Sequence, residues 1–220
     1  MVNRMRRKPT YIIYFLLLVG LPAILQAEEI KIGQFSTGEL ASWQEKSFAG
    51  HTQYQIITLP QGKALQAKSN GTASGLFKEV TIDLTKTPWL NWSWRIDNTL
   101  SGNNERNKKE DDYPARVYVV VSGGLFFWKT LALNYVWSNQ QAINSRWDNP
   151  YTSNAKMIAV RSGTTETGEW VTQKQNVLED LQKAFGKEIT TIHAIAVMTD
   201  SDNTGIPTTA LYGDIFFSDR

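Results

Sequence analysis

The densest run of oxygen side chains in the chain is Asp200-Ser201-Asp202-Asn203-Thr204-Gly205. Oxygen donors at alternate positions, closed by a glycine, suit a hard cation such as calcium. The spacing opens like an EF-hand loop. However, Leu211 stands where that loop needs a bidentate Glu, and no flanking helices are evident, which excludes it. The other reading is a strand-to-strand turn whose Asp and Asn side chains bond their own backbone. Asp214 lies amid the large apolar residues of Leu211–Phe217, where an aspartate must find a cation or a salt-bridge partner. Asp200, Asp202 and Asp214 are therefore the candidate metal ligands.

Two arginines raise a related question. Arg95 and Arg116 sit in apolar, strand-like stretches, and a guanidinium held there needs a carboxylate, ideally bidentate. Asp111 and Asp112 are the expected partners of Arg116. A functional alternative makes Arg95, Arg116 and Asn134 the floor of a polar cleft, with Asp111 and Asp112 beside it and Trp137, Trp147 and Tyr151 at its rim. Such a cleft suits an anionic or hydroxyl-rich ligand, because aromatic faces stack on sugar rings. Of the other tryptophans, Trp92 and Trp94 alternate with polar residues and are expected in the core, while Trp128 and Trp170 lie near strand ends or loops.

Signals for catalysis are sparse. The two histidines, His51 and His193, occur outside any nucleophile-elbow context, and with no cysteine present a zinc site has too few ligands. No phosphate loop or dinucleotide fingerprint appears. Paired-carboxylate hydrolysis, with Asp111 or Asp112 as acid or base, is the one enzymatic reading that survives; Asp148, Asp200 and Asp202 are further loop carboxylates.

Period-two alternation sets the elements that carry these residues. Leu90, Trp92, Trp94 and Ile96 share one face of Trp89–Ile96. Ala115, Val117, Val119 and Val121 share one face of Ala115–Ser122, and Leu131, Leu133, Tyr135 and Trp137 do so in the next run. Further strands are expected at 30–35, 54–59, 64–69, 74–84, 157–161, 169–177, 191–199 and 209–217. Strands in this number, with turn-rich joins, imply an all-β fold of two antiparallel sheets packed face to face, a β-sandwich. One short helix is expected near residues 177–185. Asn176 is placed to cap it, Glu179 stands three residues on, and Leu178, Leu181 and Phe185 form its apolar stripe before Gly186. Two long polar connections interrupt the strands. Asp97–Asp112, charged and without aromatics before Tyr113, reads as mobile, and 138–156, with Trp147 and Tyr151, reads as the recognition surface.

The 220 residues are 41% hydrophobic and 20% charged, which suits one globular domain and excludes a disordered chain, a coiled coil and a multi-span membrane protein. The amino terminus reads as a secretory signal, with a basic run from Arg4 to Lys8, an apolar stretch from Tyr11 to Leu25, and a cleavage site after Ala27. That apolar stretch is short for a bilayer span, so no stable span is expected after cleavage, and residues 28–220 form the domain. Residues 1–27 hold four basic residues and no acids, which leaves the remainder at 19 basic against 21 acidic residues, a net of −2. A mildly acidic body does not gather phosphates, so nucleic acid is excluded as a partner. The expected location is periplasmic or extracellular.

Several stretches taken together resemble the bacterial domain-of-unknown-function family numbered 3047. They are Ala73-Ser74-Gly75-Leu76, Trp92-Ser93-Trp94-Arg95, Asp111 through Tyr118, Asn134-Tyr135-Val136-Trp137, Thr199 through Gly205, and Tyr212-Gly213-Asp214-Ile215. The resemblance spans nearly all of residues 28–220 and implies no particular activity. More loosely, the carboxyl end is similar to galactose-binding-like jelly rolls and carbohydrate-binding modules, whose final strand often carries an aspartate on a structural calcium. That similarity implies calcium at Asp214, with earlier ligands from Glu29 or Gln34. The expectation is thus an exported β-sandwich that binds a saccharide or envelope glycan without chemistry. A carboxylate-dependent hydrolase is the rival, and a scaffold using an exposed sheet edge is a third reading.

Overall fold

The computed structural model describes residues 28–100, 102–125 and 129–220. The expected signal segment and Trp128 lie outside the described residues. The strands are β1 (Glu29–Gly33), β2 (Gln44–Ala49), β3 (Gln53–Leu59), β4 (Gly62–Ser69), β5 (Ala73–Asp83), β6 (Trp89–Ile96), β7 (Ala115–Val121), β8 (Leu131–Ser138), β9 (Arg146–Asn149), β10 (Thr152–Ser162), β11 (Val171–Asn176), β12 (Thr191–Asp200), β13 (Thr208–Tyr212) and β14 (Ile215–Ser218), with one helix, α1 (Val177–Phe185), between β11 and β12.

Two seven-stranded sheets stack as a sandwich. The first runs β1-β14-β6-β13-β4-β3, with β11 on the other edge of β6; the second runs β2-β5-β12-β7-β8-β10-β9. The pairings are antiparallel except β10 on β8, which is parallel because the chain leaves β8, forms the edge strand β9 and returns between them. The period-two faces meet in one core, where Trp92, Trp94, Leu133, Tyr135 and Trp137 are buried together. Trp92 and Trp94 meet edge to face at 5.4 Å, and Trp137 stands 6.0 Å from Trp94. Edge-to-face and tilted contacts at such distances are favourable for aromatic quadrupoles.

The helix begins where Asn176 accepts from the Glu179 amide at 3.2 Å and ends at Gly186, whose φ of 62° is the left-handed turn that glycine adopts freely. Its apolar side, Val177 and Leu181, closes the core. The apolar run over 209–217 is two strands rather than one. The Gly213 amide bonds the Ser93 carbonyl at 2.9 Å, and a Cβ there would stand 2.2 Å from Ser93 Oγ, so any larger residue would force that hydroxyl to turn away. Beyond it, Asp214 accepts from the amide and hydroxyl of Ser36. Its partners are therefore the donors of a serine turn, and among the described residues it forms no salt bridge.

The connection after β6 is tied down instead of loose. Leu100, Asn103 and Glu105 are buried, the Asn139 amide donates to Glu105 Oε1 at 3.0 Å, and Gln140 Nε2 donates to the Asn103 carbonyl at 2.9 Å. Residues on either side of position 101 are thus interlocked with the connection after β8. Together the two cover part of the second sheet's outer face, where Tyr113, Val136, Trp147, Met157 and Ala159 form a second small core.

Candidate functional site

Along β7, Ala115, Val117 and Val119 point into the main core, so Arg116 and Tyr118 must emerge on the opposite face of the second sheet. The same alternation brings Met198 and Asp200 of β12, and Asn134 of β8, to that face. Met198 lies beside Arg116, and Tyr118 beside Asn134, in the strand register. These side chains floor a cavity of about 420 Å³ whose mouth is bordered by Phe48 of β2 and Tyr151.

Arg116 is almost wholly buried and forms a fork on Asp200: Nε donates to Oδ1 at 3.1 Å, and Nη2 donates to Oδ2. Burial is the largest influence and works against the guanidinium charge, but Asp200, Tyr118, Asp111 and Tyr113 together outweigh it and hold Arg116 firmly protonated. The Tyr113 ring stacks 4.5 Å from the guanidinium carbon, and the Tyr113 amide donates to Asp200 Oδ1 at 3.1 Å. Arg116 Nη1 stands 4.0 Å from Asp111, beyond hydrogen-bond reach.

Asp111 faces the cavity. Its Oδ2 accepts from Asn149 Nδ2 at 2.9 Å, but its Oδ1 is buried without a partner. Burial pushes the Asp111 carboxyl above its ordinary range, against the pull of Arg116 and Asn149. Asn134 is also buried. Its Nδ2 donates to the Lys156 carbonyl at 3.2 Å, which fixes the orientation of the amide and leaves Oδ1 unpartnered. Two residues that line one cavity therefore each carry a buried acceptor with nothing to accept from. A buried polar atom left so is costly unless something supplies the missing donor.

Asp112 points elsewhere. Its Oδ1 accepts from the amide and side chain of Asn203, and its Oδ2 accepts from the Thr204 amide at 2.6 Å. It thereby anchors the 201–205 turn, which closes where the Gly205 amide bonds the Ser201 carbonyl at 2.8 Å. Carboxylate oxygens of Asp112, Asp200 and Asp202 lie within 4.8 Å of one another. Those of Asp112 and Asp200 already face N–H donors, and Asp214 borders a different cavity, beside Ser36 and Gly213. Burial, then the Asp112 charge, raises the Asp202 carboxyl above its ordinary value.

Of the residues picked out from sequence, Asp111, Arg116, Asn134, Tyr151, Asp200 and Asp202 are brought to one cavity. Arg95 is not. It lies on β6 in the other sheet and pairs with Asp97 at 3.3 Å. Trp137 is no rim residue either: it is fully buried in the core, with Nε1 donating to the Gly163 carbonyl at 3.0 Å. Trp147 is largely buried among Tyr113 and Met157 with Arg106 over its ring, and it does not line this cavity. Tyr151 does offer its ring, steadied by a hydroxyl bond to the Lys108 carbonyl at 2.7 Å. Tyr118, Asn149 and Phe48 were not singled out from sequence. Tyr118 was within reach, because it sits two residues beyond Arg116 on the same strand face, whereas nothing in the polar run of β2 marks Phe48.

Residues 41–216 match the model of a family described as a protein of unknown function, DUF3047. No curated protein matches the chain in sequence. Among solved structures, the chain is similar to a family 30 carbohydrate-binding module of a cellulosomal cellulase of Clostridium thermocellum, at 10% identity and a TM-score of 0.49, covering 86% of this chain and 96% of that one. A family 11 carbohydrate-binding module of a second cellulosomal cellulase from the same organism matches at 8% identity and a TM-score of 0.45, over 87% and 94% of the two chains. The CBM22-1 xylan-binding domain of Paenibacillus barcinonensis Xyn10C matches at 12% identity and a TM-score of 0.39, over 85% and 92%.

Proposed function

The chain belongs to DUF3047, and we propose that it binds a hydroxyl-rich ligand, a saccharide or envelope glycan, in the cavity on the outer face of its second sheet, without chemistry. The observation that carries this reading is the pair of unpartnered buried acceptors, Asp111 Oδ1 and Asn134 Oδ1. Sugar hydroxyls supply the donors these atoms lack, and each can at once accept from a neighbouring donor. Three carboxylates and one guanidinium line the cavity, so its charge favours a neutral polyol over an anion. Tyr151 and Phe48, both exposed at the mouth, offer apolar ring faces to the underside of a pyranose.

The hydrolase reading receives less support. Both oxygens of Asp112 are held by N–H donors, and Asp200 is engaged by the Arg116 fork, so of these acids only Asp111 and the part-exposed Asp202 face the ligand without a strong partner. The basic run from Arg4 to Lys8 and the apolar residues after it support export, which would place such a ligand in the cell envelope. Among the described residues no helix is long and apolar enough to cross a membrane.

A glycan array probed with the full chain tests the proposal. The wild type is expected to retain one class of glycan, and Asp111→Asn is expected to retain it at least tenfold more weakly, since a hydrogen bond to a charged group contributes about 1.5–3 kcal/mol. An array on which the wild type retains nothing, or on which the variant is indistinguishable, contradicts it.

A further inference from the structure

The polar cavity does not end at Asn134. A second trough of about 360 Å³ continues from it along the same sheet face, and the two share Phe48, Tyr118 and Met198 as walls. Its floor follows β12 away from Asp200: Met198, then Ala196, then Ala194, each facing outward two residues further on. Ala196 lies between Phe77 and Tyr118 in the register, and Ala194 is paired with Val120. From Asp200 to Ala194 the groove thus runs ~20 Å, charged at one end and almost purely apolar at the other.

We infer that the ligand is amphipathic, a saccharide head joined to a hydrocarbon chain, with the head at Asp111 and Asn134 and the chain along Ala196 and Ala194. This rests on the saccharide reading of the polar cavity and extends it. Two features of the trough select a hydrocarbon. Among the described residues, Lys46 and Thr130 are the only ones with polar side chains beside it apart from the Tyr118 phenol, whose hydroxyl is directed to Met198 Sδ at 3.3 Å. More sugar hydroxyls, or a peptide backbone, would lie there without partners. In addition, the strands that floor it, β5, β12, β7 and β8, are paired on both edges, so an extended peptide lying on that floor finds no strand edge to join; the sheet's edge strand β2 only walls the trough, through Lys46 and Phe48. An aliphatic chain needs neither, and small side chains at 194 and 196 leave it room against Phe77 and Val120.

Methyl, octyl and dodecyl maltoside, titrated into the full chain below their micelle concentrations, test the inference. Affinity is expected to rise about fourfold for each methylene that enters the trough. Ala196→Trp fills the floor and is expected to return dodecyl maltoside to the affinity of the methyl compound. Phe48 is 64% exposed and borders both cavities, so Phe48→Ser is expected to leave the fold intact and to weaken dodecyl maltoside by a larger factor than the methyl compound. In the wild type, the Ala196 methyl resonance is expected to shift with the dodecyl compound and not with the methyl one. Equal affinities along the series, or no binding by any member, overturn the inference. So does dodecanoate binding as tightly as dodecyl maltoside to wild type and Asp111→Asn alike, or a dimer that Phe48→Ser dissociates, which would make a second copy the occupant. Flat affinities leave the saccharide reading standing, because the glycan array judges that reading separately.

Discussion

Arg95 and Arg116 occupy equivalent positions in two sheets. Each follows the alternation of an apolar strand, each turns away from the core, and each finds an aspartate. Around Arg95 the face of β6 is left partly open, and the pair with Asp97 is one-third to one-half exposed. Around Arg116 the connections after β6 and β8 fold over the sheet, and the pair with Asp200 is almost wholly buried. The same residue type in the same pattern forms a part-exposed pair in one place and the floor of a cavity in the other. What differs is the cover, and the cover is built by segments rich in polar residues that bond one another across the two loops.

That contrast is sharpest in stability. Arg116→Ala leaves the buried Asp200 without its guanidinium partner, and is expected to cost about 3–5 kcal/mol in urea unfolding, whereas Arg95→Ala is expected to stay within about 0.5 kcal/mol. Comparable losses at the two arginines would break the comparison. Replacing both Arg116 and Asp200 by apolar residues of similar size is expected to recover much of the loss.

Trp137→Ala separates core from site. The ring fills the space beside Trp94, so the variant is expected to lose about 3–5 kcal/mol by the same measurement. A melting temperature close to wild type would show that the ring is not in the core.

A smaller effect is expected from Asp111→Asn. Burial raises the native Asp111 value, so the folded protein holds this proton to higher pH than the unfolded chain, whose aspartates titrate near 3.8. Stability owed to this group is therefore greatest below that value and declines as pH rises through the native one. Unfolding curves of the variant, taken from about pH 4 upward, are expected to gain on wild type as pH rises, since an amide carries no such proton. A constant difference would place Asp111 in water.

The smallest stability effect belongs to Tyr151→Ala. The ring is 59% exposed, and the expected change is within about 0.5 kcal/mol, while glycan retention falls about tenfold. Unaltered retention would remove the ring from the ligand platform.

The sheets were legible where one face is apolar and the other polar, as in β6, β7 and β8. They were not legible at β2 and β9, edge strands in polar sequence that bury little and therefore carry almost no alternation. The break at Gly213 was hidden because apolar residues flank it on both sides. Trp137 shares a strand face with Leu133 and Tyr135, so its burial follows from the alternation itself. The union of Arg116 with Asp200 spans 84 positions and depends on β7 and β12 being neighbours, which local pattern does not convey. The resting place of the two long connections was hidden for the same reason. Polar composition reads as solvation until the partners across the fold are known.

The central claim is that the cavity holds unmet acceptors awaiting a hydroxyl-rich ligand. Calorimetric titration of the best-retained glycan into wild type and Asn134→Val tests it most directly. The account predicts that the variant binds at least tenfold more weakly while unfolding at nearly the wild-type urea concentration. Equal affinity in the two proteins would contradict it.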